Sequence, residues 1–412
     1  MCTQSRAPTG RAFVNALEPR VLFDTVVLDG TPGNDSISVL VQKEVITLTV
    51  NGTPSFFADD LFDAIDVRGL GGDDAIVIQR SGDNDIFVSG DNADGSGTGN
   101  DAIEIGEGNL DAVPAPVVVT AGGGNDLVRL HDQDNNFGDS FVVRATNAQR
   151  LFFGGAFYGT DLESLIINNS RGNNTIQVLS TSPATLVSID AGAGVDTLNV
   201  IDTDPASPVV VQPNGAEIVN VNPDDAGFAA ARFDATSRIF RLSIGAGGRA
   251  VIAPHGAHVL SMVQLFITAG GTFDLTNNAA VIDYDSGTPI AQVQADLAGG
   301  YNGGAWNGTG ITSSTAASQT NTAVGYAEAT DLFGTFPAPF AGVEVDDTSV
   351  LLRHTLYGDA DLNRTVNLAD FNRLASNFGH SDRRWSQGDF DFSGAVNLGD
   401  FNRLAANFGL TV

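Results

Sequence analysis

The chain of 412 residues is long enough for two or three domains, and its 20 Lys and Arg against 49 Asp and Glu leave a formal charge of −29. A surface so acidic repels nucleic acid and anionic lipid, so neither is expected as a partner. The single cysteine, Cys2, excludes a disulfide within the chain, and no run approaches the ~20 apolar residues of a membrane helix, since Val251–Phe266 is interrupted by Pro254, His255, Gly256 and His258.

Residues 1–24 carry Arg6, Arg11 and Arg20 but lack the continuous apolar stretch of about 7–15 residues that an ordinary signal peptide needs. Leu17-Glu18-Pro19-Arg20-Val21-Leu22-Phe23 resembles the short LEPR segment at the start of many large bacterial surface and autotransporter-like proteins. The resemblance implies an export-associated segment and an extracellular or cell-surface location in a bacterium.

From residue 25 to 221 short β-branched runs alternate with Gly, Asn and Asp: Val26-Val27-Leu28, Val45 to Val50, Ala75 to Ile78, Val117 to Val119, Ser164 to Ile167, Thr175 to Leu179 and Leu186 to Ile189. These read as strands punctuated by turns. Six turns share one form, Gly33-Asn-Asp35, Gly72-Asp-Asp74, Gly99-Asn-Asp101, Gly124-Asn-Asp126, Gly172-Asn-Asn174 and Gly194-Val-Asp196, each soon followed by an aliphatic residue. If the gap between Asp126 and Asn174 holds two repeats, the spacings give a coil of roughly 22–27 residues, the signature of a β-solenoid. The turns also resemble the hemolysin-type calcium repeat, most closely at Ala121–Arg129 and Gly69–Val77, but without its nine-residue tandem spacing. Calcium between neighbouring turns and plain turn chemistry are both open readings.

The Pro-rich stretch Asp202 to Pro213, followed by Asn222 to Gly227, reads as a boundary, and a second β-rich region is expected over 228–353. Thr288-Pro289 opens a helix and Gly299-Gly300 closes it, while Gly308–Thr322 is poor in core-forming residues and reads as a surface loop. The run Gly299 to Ile311 with Gly325 to Ala329 is similar to the C-terminal portion of the same autotransporter-like proteins, which carry no activity to transfer.

Residues 354–412 hold the most specific signal. Asp359-Ala-Asp-Leu-Asn-Arg-Thr-Val-Asn-Leu-Ala-Asp370 is repeated thirty residues on as Asp389-Phe-Asp-Phe-Ser-Gly-Ala-Val-Asn-Leu-Gly-Asp400. Oxygen side chains fall at positions 1, 3, 5, 9 and 12 of each twelve-residue frame, as a hard cation with six to eight oxygen ligands requires. The candidate ligands are Asp359, Asp361, Asn363, Asn367 and Asp370, then Asp389, Asp391, Ser393, Asn397 and Asp400, with Thr365 and Ala395 giving backbone carbonyls. After each loop comes a helical stripe, Phe371, Leu374, Phe378 and Phe401, Leu404, Phe408. The pair resembles a type I dockerin, a module of two calcium loop–helix units. Position 6 departs once: Arg364 stands where the second copy has Gly394, so Arg364 must take up a costly backbone conformation. The resemblance implies calcium as cofactor and a cohesin-like protein or other cell-surface component as partner. It also implies two contact faces built from Leu368, Asn372 and Arg373 and from Leu398, Asn402 and Arg403. The competing reading packs both leucines into the module's own core.

Catalytic patterns are scarce. Lys43 is the only lysine, so there is no P-loop, and there is no G-x-S-x-G elbow. His255 and His258 lie on a Pro- and Gly-broken segment, where they share no helical face. The expected fold is therefore mainly β, a parallel β-solenoid followed by a small helical calcium module, with helices near 289–298, 368–378 and 398–408. The expected function is a non-catalytic, exported, calcium-binding structural or adhesive protein. The alternative is a tethered polysaccharide-degrading β-helix enzyme, because an acidic solenoid offers many Asp pairs.

Overall fold

The computed structural model describes residues 24–92, 97–224 and 227–412. The expected export segment, apart from Asp24, lies outside them. The architecture is mainly β: a 15-stranded and a 13-stranded sheet are built largely from parallel pairs. Through most of the length the chain visits the two sheets alternately, one strand each per coil, as in a β-solenoid.

The strands form because apolar residues alternate with polar ones, and the inward positions then stack coil on coil. In the 13-stranded sheet Ile37, Ile76, Ile103, Val128, Leu165 and Val187 are successive register partners, all buried. In the other sheet Ile176, Leu198, Val219 and Leu242 do the same. Each such side chain contributes roughly 1.5–3 kcal/mol by leaving water.

Two antiparallel insertions break the rhythm. Ser36–Gln42, Val45–Val50 and Thr53–Ala58 form a meander that ends one sheet, and Asn147–Arg150 with Phe153–Tyr158 adds a hairpin to the other. At the far end Ser349–Leu356 runs antiparallel to the last solenoid strand, Thr322–Glu328 pairs antiparallel with Ser349–Leu356, and the helix Ile290–Tyr301 lies against this cap. The stretch 308–322 differs from the expected loop. Gly310–Thr312 is a buried strand and Ser314–Ser318 a short helix capped by Ser313, because the cap supplies the apolar cover that the local composition lacks.

The Pro-rich stretch at 202–227 is not a break in strand pairing. Val209–Gln212 pairs with strands on both sides, as does Ile218–Val221, so both sheets run through the expected boundary. Its prolines stand outside the strands, where no ladder hydrogen bond is lost.

The repeated turns have a structural cause. Asp35 N donates to Asp74 Oδ1 at 2.7 Å, Asp74 N to Asp101 Oδ1 at 2.8 Å, Asp101 N to Asp126 Oδ1 at 2.8 Å and Asp126 N to Glu163 Oε2 at 2.8 Å. A second row, at the entry to the other sheet, runs from Asp139 N to Asn174 Oδ1 at 2.9 Å and from Asn174 N to Asp196 Oδ1 at 2.7 Å. The first row thus continues through Glu163, and Asn174 belongs to the second, so the gap between Asp126 and Asn174 is not two repeats of one row. Outside the first row runs another of Asn34, Asp73, Asn100 and Asn125 with the opposite polarity, each side-chain oxygen accepting from the backbone N–H of the next member. Glycine is required where rows touch: a Cβ on Gly99 would sit 2.0 Å from Gly72 O, and one on Gly124, at φ 141°, 1.8 Å from Gly99 O. The inner carboxylates are buried, and the second oxygens of Asp74, Asp101, Asp126 and Asp196 meet no hydrogen-bond partner. Burial pushes each of these four carboxyls up to about 6.

Candidate metal centre

The duplicated phrase folds as two loops, each leading into a helix, Leu368–Asn377 and Leu398–Asn407. Each helix starts at a capping box. Asn367 Oδ1 accepts from Ala369 N and Asn397 Oδ1 from Gly399 N, both at 2.7 Å, while Asp370 and Asp400 reach back to the N–H of Asn367 and Asn397 at 2.8 and 2.9 Å. The residue that closes the loop thereby also fixes the start of the helix.

Within the loops the first carboxylate organises the turn. Asp359 accepts from the N–H of Asn363 at 3.1 Å and Arg364 at 2.7 Å; Asp389 accepts from Ser393 at 3.1 Å and Gly394 at 3.0 Å. Position 6 is left-handed in both copies, with φ 73° at Arg364 and 79° at Gly394, so Arg364 does adopt the conformation that favours glycine. Position 4 is left-handed as well, at Leu362 and Phe392.

Asp359, Asp361 and Asp370 converge so that one oxygen of each lies within 4.8 Å of the others, and Asp389, Asp391 and Asp400 do the same. Among the described residues these are the two clusters of three or more acidic, His or Cys side chains that can hold a metal ion. In each triad the first and last aspartates are buried and the middle one half-buried. Burial, reinforced by the neighbouring carboxylates, pushes Asp359 and Asp389 up to about 7, and burial raises Asp370 and Asp400. Three carboxylates drawn out of water repel one another, and a divalent cation between them relieves that cost. The donors are all oxygen, which suits a hard ion. Of the other candidate ligands, Asn363 and Ser393 are exposed, Thr365 and Ala395 sit in isolated bridges to Thr411 and Ser381, and Asn367 and Asn397 give their oxygens to the helix caps.

The two units are related by an approximate exchange. Gly409 N donates to Val366 O and Gly379 N to Val396 O, both at 2.8 Å, so the chain leaving each helix pairs with the other loop. Gly358 and Gly388, at φ 104° and 108°, match this: a Cβ on either would sit 2.7 or 2.8 Å from Cα of Leu404 or Leu374 on the opposite helix.

The pair is seated on the solenoid cap. Leu362 is buried and Phe392 partly so, and Phe392 lies 5.1–6.1 Å, ring to ring, from Tyr301, Trp306, Tyr326 and Trp385. Trp385 Nε1 donates to Asp359 O at 2.6 Å, tying the first loop to this aromatic cluster. Leu362, Trp385 and Phe392 were not among the expected site residues; an apolar side chain at position 4 of otherwise polar loops was the available signal. The expected contact residues divide. Leu368 and Leu398 are each 62% exposed, which excludes the core-packing reading, and Asn372 and Asn402 are exposed too. Arg373 instead donates to Asp331 O at 3.1 Å, and Arg403 donates to Tyr301 Oη at 2.7 Å, so both hold the module to the cap.

His255 and His258 do come together, their rings stacked at 4.1 Å, but without a third ligand side chain in a metal cluster among the described residues. A cleft of about 480 Å³ lies on the solenoid flank, where Asp283 pairs with Arg238 at 3.0 Å and Asp346 accepts from Thr348 and Ser349. Asp283 and Asp346 are thus already partnered. Among the described residues no helix is long and apolar enough to cross a membrane. No family model, curated protein or solved structure matches the chain.

Proposed function

We propose that the chain is a non-catalytic, exported, calcium-binding structural or adhesive protein, in which two calcium ions brace a C-terminal module against a rigid solenoid. The observation that carries this reading is the pair of aspartate triads, buried at their first and last members, each inside a twelve-residue frame of oxygen donors and each seated on the cap. Calcium is favoured over magnesium because each frame gathers three protein carboxylates, whereas magnesium usually keeps several waters and takes one or two carboxylates.

In the same reading the module attaches to a cohesin-like protein or another component of a bacterial cell surface. Leu368 with Asn372, and Leu398 with Asn402, present equivalent exposed faces, and the two arginines serve the cap instead. Capture of extracellular proteins on the full chain, with calcium and with chelator, tests the proposal. Calcium-dependent capture that survives Leu368→Asp or Leu398→Asp alone but not the double variant is expected. Calcium-independent capture, or measurable cleavage of plant, algal or bacterial polysaccharide by the chain, would overturn it.

A further inference from the structure

Where the first acidic loop meets the solenoid there is a cavity of about 110 Å³, lined among others by Gly256, His258, Asn277, Arg353 and Arg364. Two guanidinium groups thus face one small space in a chain of formal charge −29. Neither arginine is in an ion pair among the described residues. Each spends one nitrogen on a carbonyl: Arg353 Nη1 donates to Leu362 O at 2.9 Å and Arg364 Nη1 to Gly256 O at 3.0 Å. Arg364 Nε and His258 Nδ1 are buried without a partner. Burial and the charge of Arg364 lower the proton affinity of Arg353, an effect Asp359 partly offsets, and burial and Arg364 push the buried His354 beside it down to about 4. The cavity therefore has nitrogen atoms on its lining residues that no protein partner satisfies.

Buried guanidinium donors without partners are costly, and planar guanidinium groups match the oxygens of a tetrahedral anion. At roughly 30 Å³ per water, the space accommodates one such ion with a water or two. We propose that this cavity binds a small tetrahedral oxyanion, sulfate or phosphate, between Arg353 and Arg364. The departure from glycine at position 6 of the first loop then has a use, since the arginine side chain leaves the acidic triad and turns toward the cavity.

The test is calorimetric titration of the full chain with inorganic sulfate and inorganic phosphate, in chelator and at constant ionic strength set with chloride, so that its result does not depend on calcium. One saturable site is expected. Arg353→Gln and Arg364→Gly should each weaken it by about tenfold or more, the loss of a charged hydrogen bond. Arg364→Gly places glycine at a positive φ and matches Gly394, so it should fold; circular dichroism verifies this. A parallel arm with methyl sulfate assigns the source: equal affinity means that esterified groups enter, and much weaker affinity means the free ion, both within the oxyanion class. Absence of saturable binding to the unaltered chain, or a folded Arg364→Gly variant that binds as tightly as the unaltered chain, would overturn the proposal.

Discussion

Replacing Asp74 by asparagine should stabilise the solenoid at neutral pH. Asp74 Oδ1 accepts from Asp35 N, but its other oxygen is buried without a donor, and that oxygen and Gly90 O both lie within about 2.1 Å of the point where a Gly69 Cβ would sit. Two acceptors therefore face each other. Asn174 shows what an amide does at such a rung: its oxygen accepts from Asp139 N at 2.9 Å while its nitrogen donates to the carbonyls of Gly172 and Ala191 at 2.8 and 3.1 Å. Burial raises the folded carboxyl from 3.8 to about 6, so the charged form is disfavoured by about two pH units, ~3 kcal/mol at ~1.36 kcal/mol per unit. Because the folded value lies above the unfolded one, this penalty is complete above about pH 6 and absent below about pH 4. Asp74→Asn should gain about 1–3 kcal/mol at pH 7.5, a rise of a few degrees in melting temperature, and the gain should fade by pH 4. Thermal melts of both chains from pH 4 to 8 measure it. A loss of stability at pH 7.5, or a gain independent of pH, would refute the reasoning.

The two loops should differ in calcium affinity, since Arg364 carries a backbone strain at positive φ that Gly394 does not; Asp389→Ala or Asp400→Ala should remove the tighter site in calorimetry. Calcium affinity should fall by up to about tenfold per site between pH 8 and 6, because Asp359 and Asp389 take up protons near 7, and binding at pH 7 should release protons, so that its measured heat varies with the ionisation enthalpy of the buffer. In the metal-free chain the sign is opposite, and these two carboxyls should favour folding more at pH 5 than at pH 8. Phe392→Ala should cost about 3–5 kcal/mol by leaving a gap among Tyr301, Trp306, Tyr326 and Trp385, with a loss of near-ultraviolet dichroism; an unchanged spectrum would mean that the module is not seated on the cap.

Local regularities were readable in the sequence, and pairings over long separations were not. Strand alternation and the duplicated loops each lie within a dozen residues, so spacing alone exposes them. The Gly-Asn-Asp turns were visible, yet their division into two rows depends on which sheet follows each turn, and the hairpin at residues 140–158 lengthens the step from Asp126 to Glu163 to 37 residues. Proline misled at 202–213 because a solenoid tolerates it at corners between strands. Gly308–Thr322 looked too polar to be buried, but Ile311 and Ala316 are covered by residues far along the chain. Arg373 and Arg403 looked like surface residues because their partners, Asp331 and Tyr301, lie 42 and 102 residues away.

The central claim is that paired metal sites brace the C-terminal module, and calorimetric titration of the full chain with calcium at pH 7.5 addresses it most directly. Two bound ions of unequal affinity are predicted, with Asp359→Ala abolishing one and Asp389→Ala the other, and chelation should lower the melting temperature of the intact chain. No calcium uptake, or uptake that survives both substitutions together, would contradict the account.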